Sequence, residues 1–142
     1  MDATSPAPLH DADGRHFPWG DQGEPTFARV VDTSAGEPSR EDVYGHPFDE
    51  GPHGARGLAG NTRDWCLDVW KHEGPCVEGD RLRVEAAALD NPDFRVIRGG
   101  GWSSVIANSR VCARFGGRPG IRRPVVGFRV ARACHDCVKP SV

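Results

Sequence analysis

A chain of 142 residues with 37% hydrophobic and 27% charged residues, 18 Gly and 12 Pro has the size of one domain and the punctuation of a loop-rich one. Gly and Pro recur too densely for collagen, a coiled coil or a long helical bundle. No apolar run of about 18 residues and no secretory apolar core occurs, so neither a membrane partner nor export is expected. The cysteines, Cys66, Cys76, Cys112, Cys134 and Cys137, are odd in number and irregularly spaced. They fit a reduced, cytoplasmic chain better than a disulfide framework.

Taken in chain order, residues 1–14 read as a flexible lead-in and 15–133 as the folded body. FPWGD, Phe17 to Asp21, predicts a tight aromatic turn, because Pro18 fixes φ and Gly20 permits a positive one. FARVVD, Phe27 to Asp32, is a strand candidate, and residues 33–57 are loop. WCLDVW, Trp65 to Trp70, is a short aromatic run, and RLRVEAAAL, Arg81 to Leu89, predicts a turn or two of helix. FRVIRGGGW, RVCARF and VGFRVARA alternate apolar and polar residues as strands do. Gly99, Gly100 and Gly101 imply a bulge or a close backbone approach. The tail, 134–142, holds a Cys-x-x-C whose lack of a second close Cys/His pair argues against structural zinc.

Charge is unevenly distributed. Up to Phe94 there are 8 Lys+Arg against 19 Asp+Glu, whereas Arg95 to Ala133 carries nine Arg and no acid. The two segments are expected to pack against each other. Nucleic acid is not an expected partner, since the arginines stand singly among apolar and Gly residues rather than in a basic block.

FPWGD at 17–21, GLAGNTRDWCLDVW at 57–70, RVIRGGGW at 95–102 and the closing R-x-x-x-R to GFRVAR, Arg110 to Arg132, occur in that order. Together they resemble the sulfatase-modifying-factor family. That family includes formylglycine-generating enzymes, domains of non-haem-iron sulfoxide synthases, and domains fused to bacterial serine/threonine kinases, the last being nearest to the wording GLAGNTRDWC. The resemblance implies an α+β, C-type-lectin-like fold with short, mainly antiparallel strands, long loops and little helix. It covers about residues 13–133 and implies a domain incomplete on its N-terminal side, with an exposed apolar face that another segment or chain would cover.

The resemblance also carries chemistry. Formylglycine generation needs two cysteines that bind copper, a soft ion that thiolates suit. Ser104 falls on the first of those positions and Ile106 on the second, while Arg63 stands where an active-site Trp is implied. Copper and catalysis are therefore not expected. For calcium, Asp64 matches an acidic ligand and Gly60 and Thr62 match carbonyl positions, but Gly57 stands at the first side-chain ligand. A second implied site has Arg29 in place of an Asn.

Read on their own chemistry, Asn61 is expected to hold a turn, and Trp65, Trp70 and Trp102 to anchor the core. Arg110, Arg114 and Arg129 are expected to pair with the acidic segment, with Asp64 as one candidate. Cys112 reads as a small buried hydrophobe. The loops from 103 to 126 would form a display surface made by Ser103, Ser104, Val105, Ile106, Asn108, Phe115 and Arg122, with Trp102, Val111 and Phe128 pointing inward. The function expected is a non-catalytic module that binds an unknown protein or small ligand there. The alternatives are a divergent or fragmentary metal-dependent oxidoreductase of the family, such as the accessory half of a sulfoxide synthase, or a truncated frame without function.

Overall fold

A computed structural model describes residues 14–79, 81–83 and 91–130. The 134–142 tail, nearly all of the 1–14 lead-in and most of the helix expected over 81–89 lie outside them. Four strands form one sheet in the order β5-β4-β1-β6: β1 is Arg63–Val69, β4 Arg95–Arg98, β5 Phe115–Gly117 and β6 Val126–Gly127. The β1–β4 and β4–β5 pairs are antiparallel and β1–β6 is parallel. A separate antiparallel ribbon pairs β2, Cys76–Glu78, with β3, Arg81–Arg83, so the first residues of the expected helix are strand. The described residues contain three short 3₁₀ turns and no α-helix, and none crosses a membrane as a long apolar helix. Among the described residues this agrees with the expectation of short strands and little helix.

FPWGD closes as predicted. Phe17 and Gly20 exchange backbone hydrogen bonds of 2.8 and 3.0 Å, with Gly20 at φ +134°. FARVVD does not form a strand. Its ends are 3₁₀ turns, Pro25–Phe27 and Val31–Thr33. The residues between them are extended, yet their partners are loops: the Asn61 N–H donates to the Arg29 carbonyl (2.8 Å), and the Val30 N–H donates to the Thr33 hydroxyl (3.1 Å). The pattern of β-branched residues was satisfied by burial rather than by a sheet. RVCARF is likewise mostly turn, and only its last residue, Phe115, enters β5.

The register of β1 against β4 steps four residues, Trp65 to Val69, opposite two, Ile97 to Arg95. This bulge thrusts Leu67 outward, 72% exposed. Trp65 and Trp70 act on β5, whose two glycines let rings lie against bare backbone. A Cβ at Gly117 would stand 2.8 Å from the Trp65 ring, and one at Gly116 3.1 Å from Trp70.

The buried apolar residues are Phe17, Ala28, Val30, Ala59, Val96 and Ile97. Ala28, Val30 and Ala59 form the centre, with Trp19 and Ile106 packed on it. Against this small core stand exposed large apolar side chains, among them Tyr44, Phe48, Leu67 and Val130. Phe128 is one of these at 76% exposure, contrary to the inward orientation expected from alternation. β6 ends at Gly127, so no strand pairing fixes which way Phe128 faces. Cys112 is exposed, also against expectation, because it sits in the turn ahead of β5.

Candidate functional site

The loop between β4 and β5 is set by the triple glycine. Gly99 has φ +81°, and a Cβ on Gly100 would fall on the Ala59 carbonyl and the Ser109 hydroxyl. Only bare backbone lets the chain pass so close to residues 58–60. Two hydrogen bonds then moor the loop. The Trp102 N–H donates to the Asn61 carbonyl (2.9 Å) and the Val31 N–H to the Ser104 carbonyl (3.0 Å).

Asn61 fills the turn role expected of it, and more. It has a left-handed backbone, φ +66°, which Asn tolerates better than most residues. Its side chain accepts from the Glu41 N–H (3.0 Å) and donates to the Glu41 carbonyl (2.8 Å). One residue therefore ties the 41 loop, the Arg29 segment and the β4–β5 loop together.

Of the seven expected surface residues, the structure brings Ser103, Val105 and Arg122 to the exterior, Val105 being 48% exposed. Asn108 is half-buried on the 3₁₀ turn Ile106–Ser109. The other three turn inward. Ser104 is buried, 6% exposed, with its hydroxyl accepting from Arg63 Nη2 at 2.8 Å. Ile106 packs on the Ala28, Val30 and Ala59 centre. Phe115 is half-buried in β5 opposite Ile97, and the Arg63 guanidinium carbon lies 3.9 Å from its ring centroid. The expectation failed at Ser104 and Ile106 because the start of the loop is held against the segments beneath it, and at Phe115 because that residue belongs to β5 rather than to a loop.

The copper positions are therefore a buried serine bonded to arginine and a core isoleucine. Neither supplies a thiolate, and the donor set does not fit copper. The acidic calcium position is also engaged. Arg129 Nε donates to Asp64 Oδ2, while Nη1 and Nη2 donate to the Arg56 and Gly57 carbonyls, each at 2.5 Å. A guanidinium thus occupies the cation position beside Asp64. At Gly60 the N–H donates to Asp49 (2.9 Å), and a Cβ would lie 2.5 Å from the Arg29 nitrogen. Thr62 brings its side chain beside Gly127 of β6. With one carboxylate already paired, the set falls short of the six to eight oxygens that calcium takes. At the second implied calcium position Arg29, 6% exposed, donates to the Ser39 and Thr33 carbonyls and pairs with Glu41 at 3.0 Å. Among the described residues no cluster of three His, Cys, Asp or Glu is disposed to hold a metal.

Asp49 was missed by sequence reasoning. It is 2% exposed and accepts from the N–H groups of Leu58 (3.0 Å), Ala59 (2.9 Å) and Gly60 (2.9 Å). Burial pushes its carboxyl above the usual carboxylate range, against the opposing pull of those N–H groups and of Arg129. Nothing local marks it, since its partners are backbone groups nine to eleven residues away.

Of the arginines expected to pair with the acidic segment, Arg129 does so through Asp64. Arg110 and Arg114 form no ion pair among the described residues. Arg98 instead donates to the Val111 carbonyl at 2.8 Å.

Residues 7–134 match the family described as the sulfatase-modifying factor enzyme 1-like domain. Over 87 residues the chain is 30% identical to the serine/threonine-protein kinase pkn1 of Chlamydia pneumoniae, covering 57% of this chain and 13% of the kinase. Over 77 residues it is 34% identical to Pkn1 of Chlamydia trachomatis serovar L2, covering 53% of this chain and 12% of that kinase. The formylglycine-generating enzyme of Thermomonospora curvata is 26% identical over 118 residues, 81% of this chain and 35% of the enzyme. The chain thus spans between about an eighth and about a third of these curated relatives. The ordered motifs, the strand-rich sheet with little helix and the match over nearly the whole sequence converge: the chain belongs to the sulfatase-modifying factor enzyme 1-like domain family.

Proposed function

We propose that the chain is a non-catalytic binding domain of this family, with a C-type-lectin-like layout, that presents the 103–126 loops to a protein or small ligand. The observation that carries the reading is the fate of the two thiolate positions. Ser104 is buried on Arg63, and Ile106 is part of the core. The loop is thereby fastened from below, while Ser103, Val105 and Arg122 stay outside, which suits a rigid display surface. The exposed apolar side chains away from this loop are surface that a further segment or chain would cover.

The test separates floor from surface. Val105→Ala combined with Arg122→Ala should leave the melting temperature nearly unchanged, because exposed positions usually cost within about 0.5 kcal/mol. The same variant should weaken, by at least about tenfold or 1.4 kcal/mol, capture of the partner that the unaltered chain retains. Capture as tight as that of the unaltered chain would place the functional surface elsewhere.

A further inference from the structure

Arg63 projects from β1 beneath the display loop, yet it has none of the company that a sheltered cation usually keeps. Its Nη2 donates to the Ser104 hydroxyl, a neutral acceptor, and its plane lies over Phe115. Its Nε is buried without a hydrogen-bond partner. No carboxylate lies within ion-pair distance of it among the described residues. Desolvation alone acts on its charge and makes the protonated form less favourable. Arg29, the most deeply buried arginine described, pairs with Glu41 as well as with two backbone carbonyls.

The surroundings repeat the imbalance. The segment from Arg95 to Ala133 contains no acidic residue. Arg110, Arg114, Arg118, Arg122 and Arg123 make no ion pair among the described residues, although Arg118 lies over the Phe94 ring. A partly buried guanidinium held against a hydroxyl and an aromatic ring, under a loop whose charges are all positive, lacks an anion. We infer that Arg63 and the Ser104 hydroxyl are the floor of an oxyanion site, which takes a carboxylate, sulfate or phosphate group of the ligand that the 103–126 loops display themselves to. This inference rests on the display reading and names the ligand's chemical class. The planar fork of Arg suits such groups better than a Lys would, and the flanking arginines would raise the local concentration of an anionic ligand.

The burial of Nε also supplies the readout, because a sheltered N–H exchanges slowly enough to give its own NMR cross-peak. The full chain is titrated with sodium acetate, sodium sulfate and sodium phosphate, each against sodium chloride at equal ionic strength, and the Arg63 peak is assigned by its loss in Arg63→Lys. The expected result is a saturable shift of that peak with at least one oxyanion, whose identity gives the ligand class. The same oxyanion should raise the melting temperature above the chloride control in the unaltered chain, and the gain should vanish in Arg63→Met. An absent or non-saturating shift, an equal shift with chloride, or a thermal gain retained in Arg63→Met overturns the inference. If Arg63→Met does not fold, the titration of the unaltered chain decides alone. Should the anions fail while Val105→Ala with Arg122→Ala still abolishes capture, the oxyanion site falls and the display surface stands.

Discussion

Asp49→Ala should cost about 3 kcal/mol or more, since each buried N–H left without an acceptor costs about 1–3 kcal/mol and three of them, on Leu58, Ala59 and Gly60, converge on this carboxylate. The loss matters because those residues precede Asn61 and the strand β1 that carries Arg63 and Asp64. Asp49→Asn should cost less, about 1–3 kcal/mol, because one amide oxygen remains while the amide nitrogen faces a donor. The pH dependence has a definite sign. Burial holds the folded carboxyl above its ordinary value of 3.8, so the folded chain binds the proton more tightly than the unfolded one. The contribution from Asp49 is full below that ordinary value, falls as pH rises through the raised one, and is flat above it. Urea unfolding across this range should show the decline in the unaltered chain, and Asp49→Asn should lack it. An identical slope in both would mean that Asp49 does not titrate as its burial requires.

Gly100→Ala should be the other severe substitution. The added methyl would collide with the Ala59 carbonyl and the Ser109 hydroxyl and stand 3.0 Å from Ser109 Cβ. Ser109 is 1% exposed and the Ala59 carbonyl is backbone, so neither can swing aside. Overpacking of this kind costs about 1–3 kcal/mol and displaces the backbone. Here that displacement would lift the β4–β5 loop off the residues beneath it. Gly36→Ala is the control: nothing lies within 4 Å of its added methyl and its φ is not positive, so it should be neutral or stabilise by up to about 1 kcal/mol. Equal melting temperatures for the two variants would show that the β4–β5 loop yields where the structure makes it rigid.

Features with local causes were legible in the sequence. The FPWGD turn follows from Pro18 and Gly20, β4 from the adjacent β-branched Val96 and Ile97, both buried, and the close approach at Gly99 to Gly101 from residues without Cβ atoms. Features decided at a distance were not. The FARVVD segment has the right side chains for a strand, but its backbone partners belong to the turns around Thr33 and Asn61. Asp49 looks like any loop acid, because an acceptor for backbone N–H groups has no sequence signature. The site was legible in outline through the departures at Arg63, Ser104 and Ile106. That Arg63 and Ser104 touch across 41 residues of sequence, and that Ile106 joins the core, depends on how the loop is moored.

We propose that the family frame persists here without the family's thiolate chemistry. The direct measurement is to load the chain with copper, incubate it in air with a peptide carrying a Cys-x-Pro-x-Arg sequence, and follow aldehyde formation by mass spectrometry. With Ser104 bound to Arg63 and Ile106 in the core, the aldehyde yield should not exceed that of a metal-free control. Turnover well above that control would contradict the account and return the chain to the oxidases.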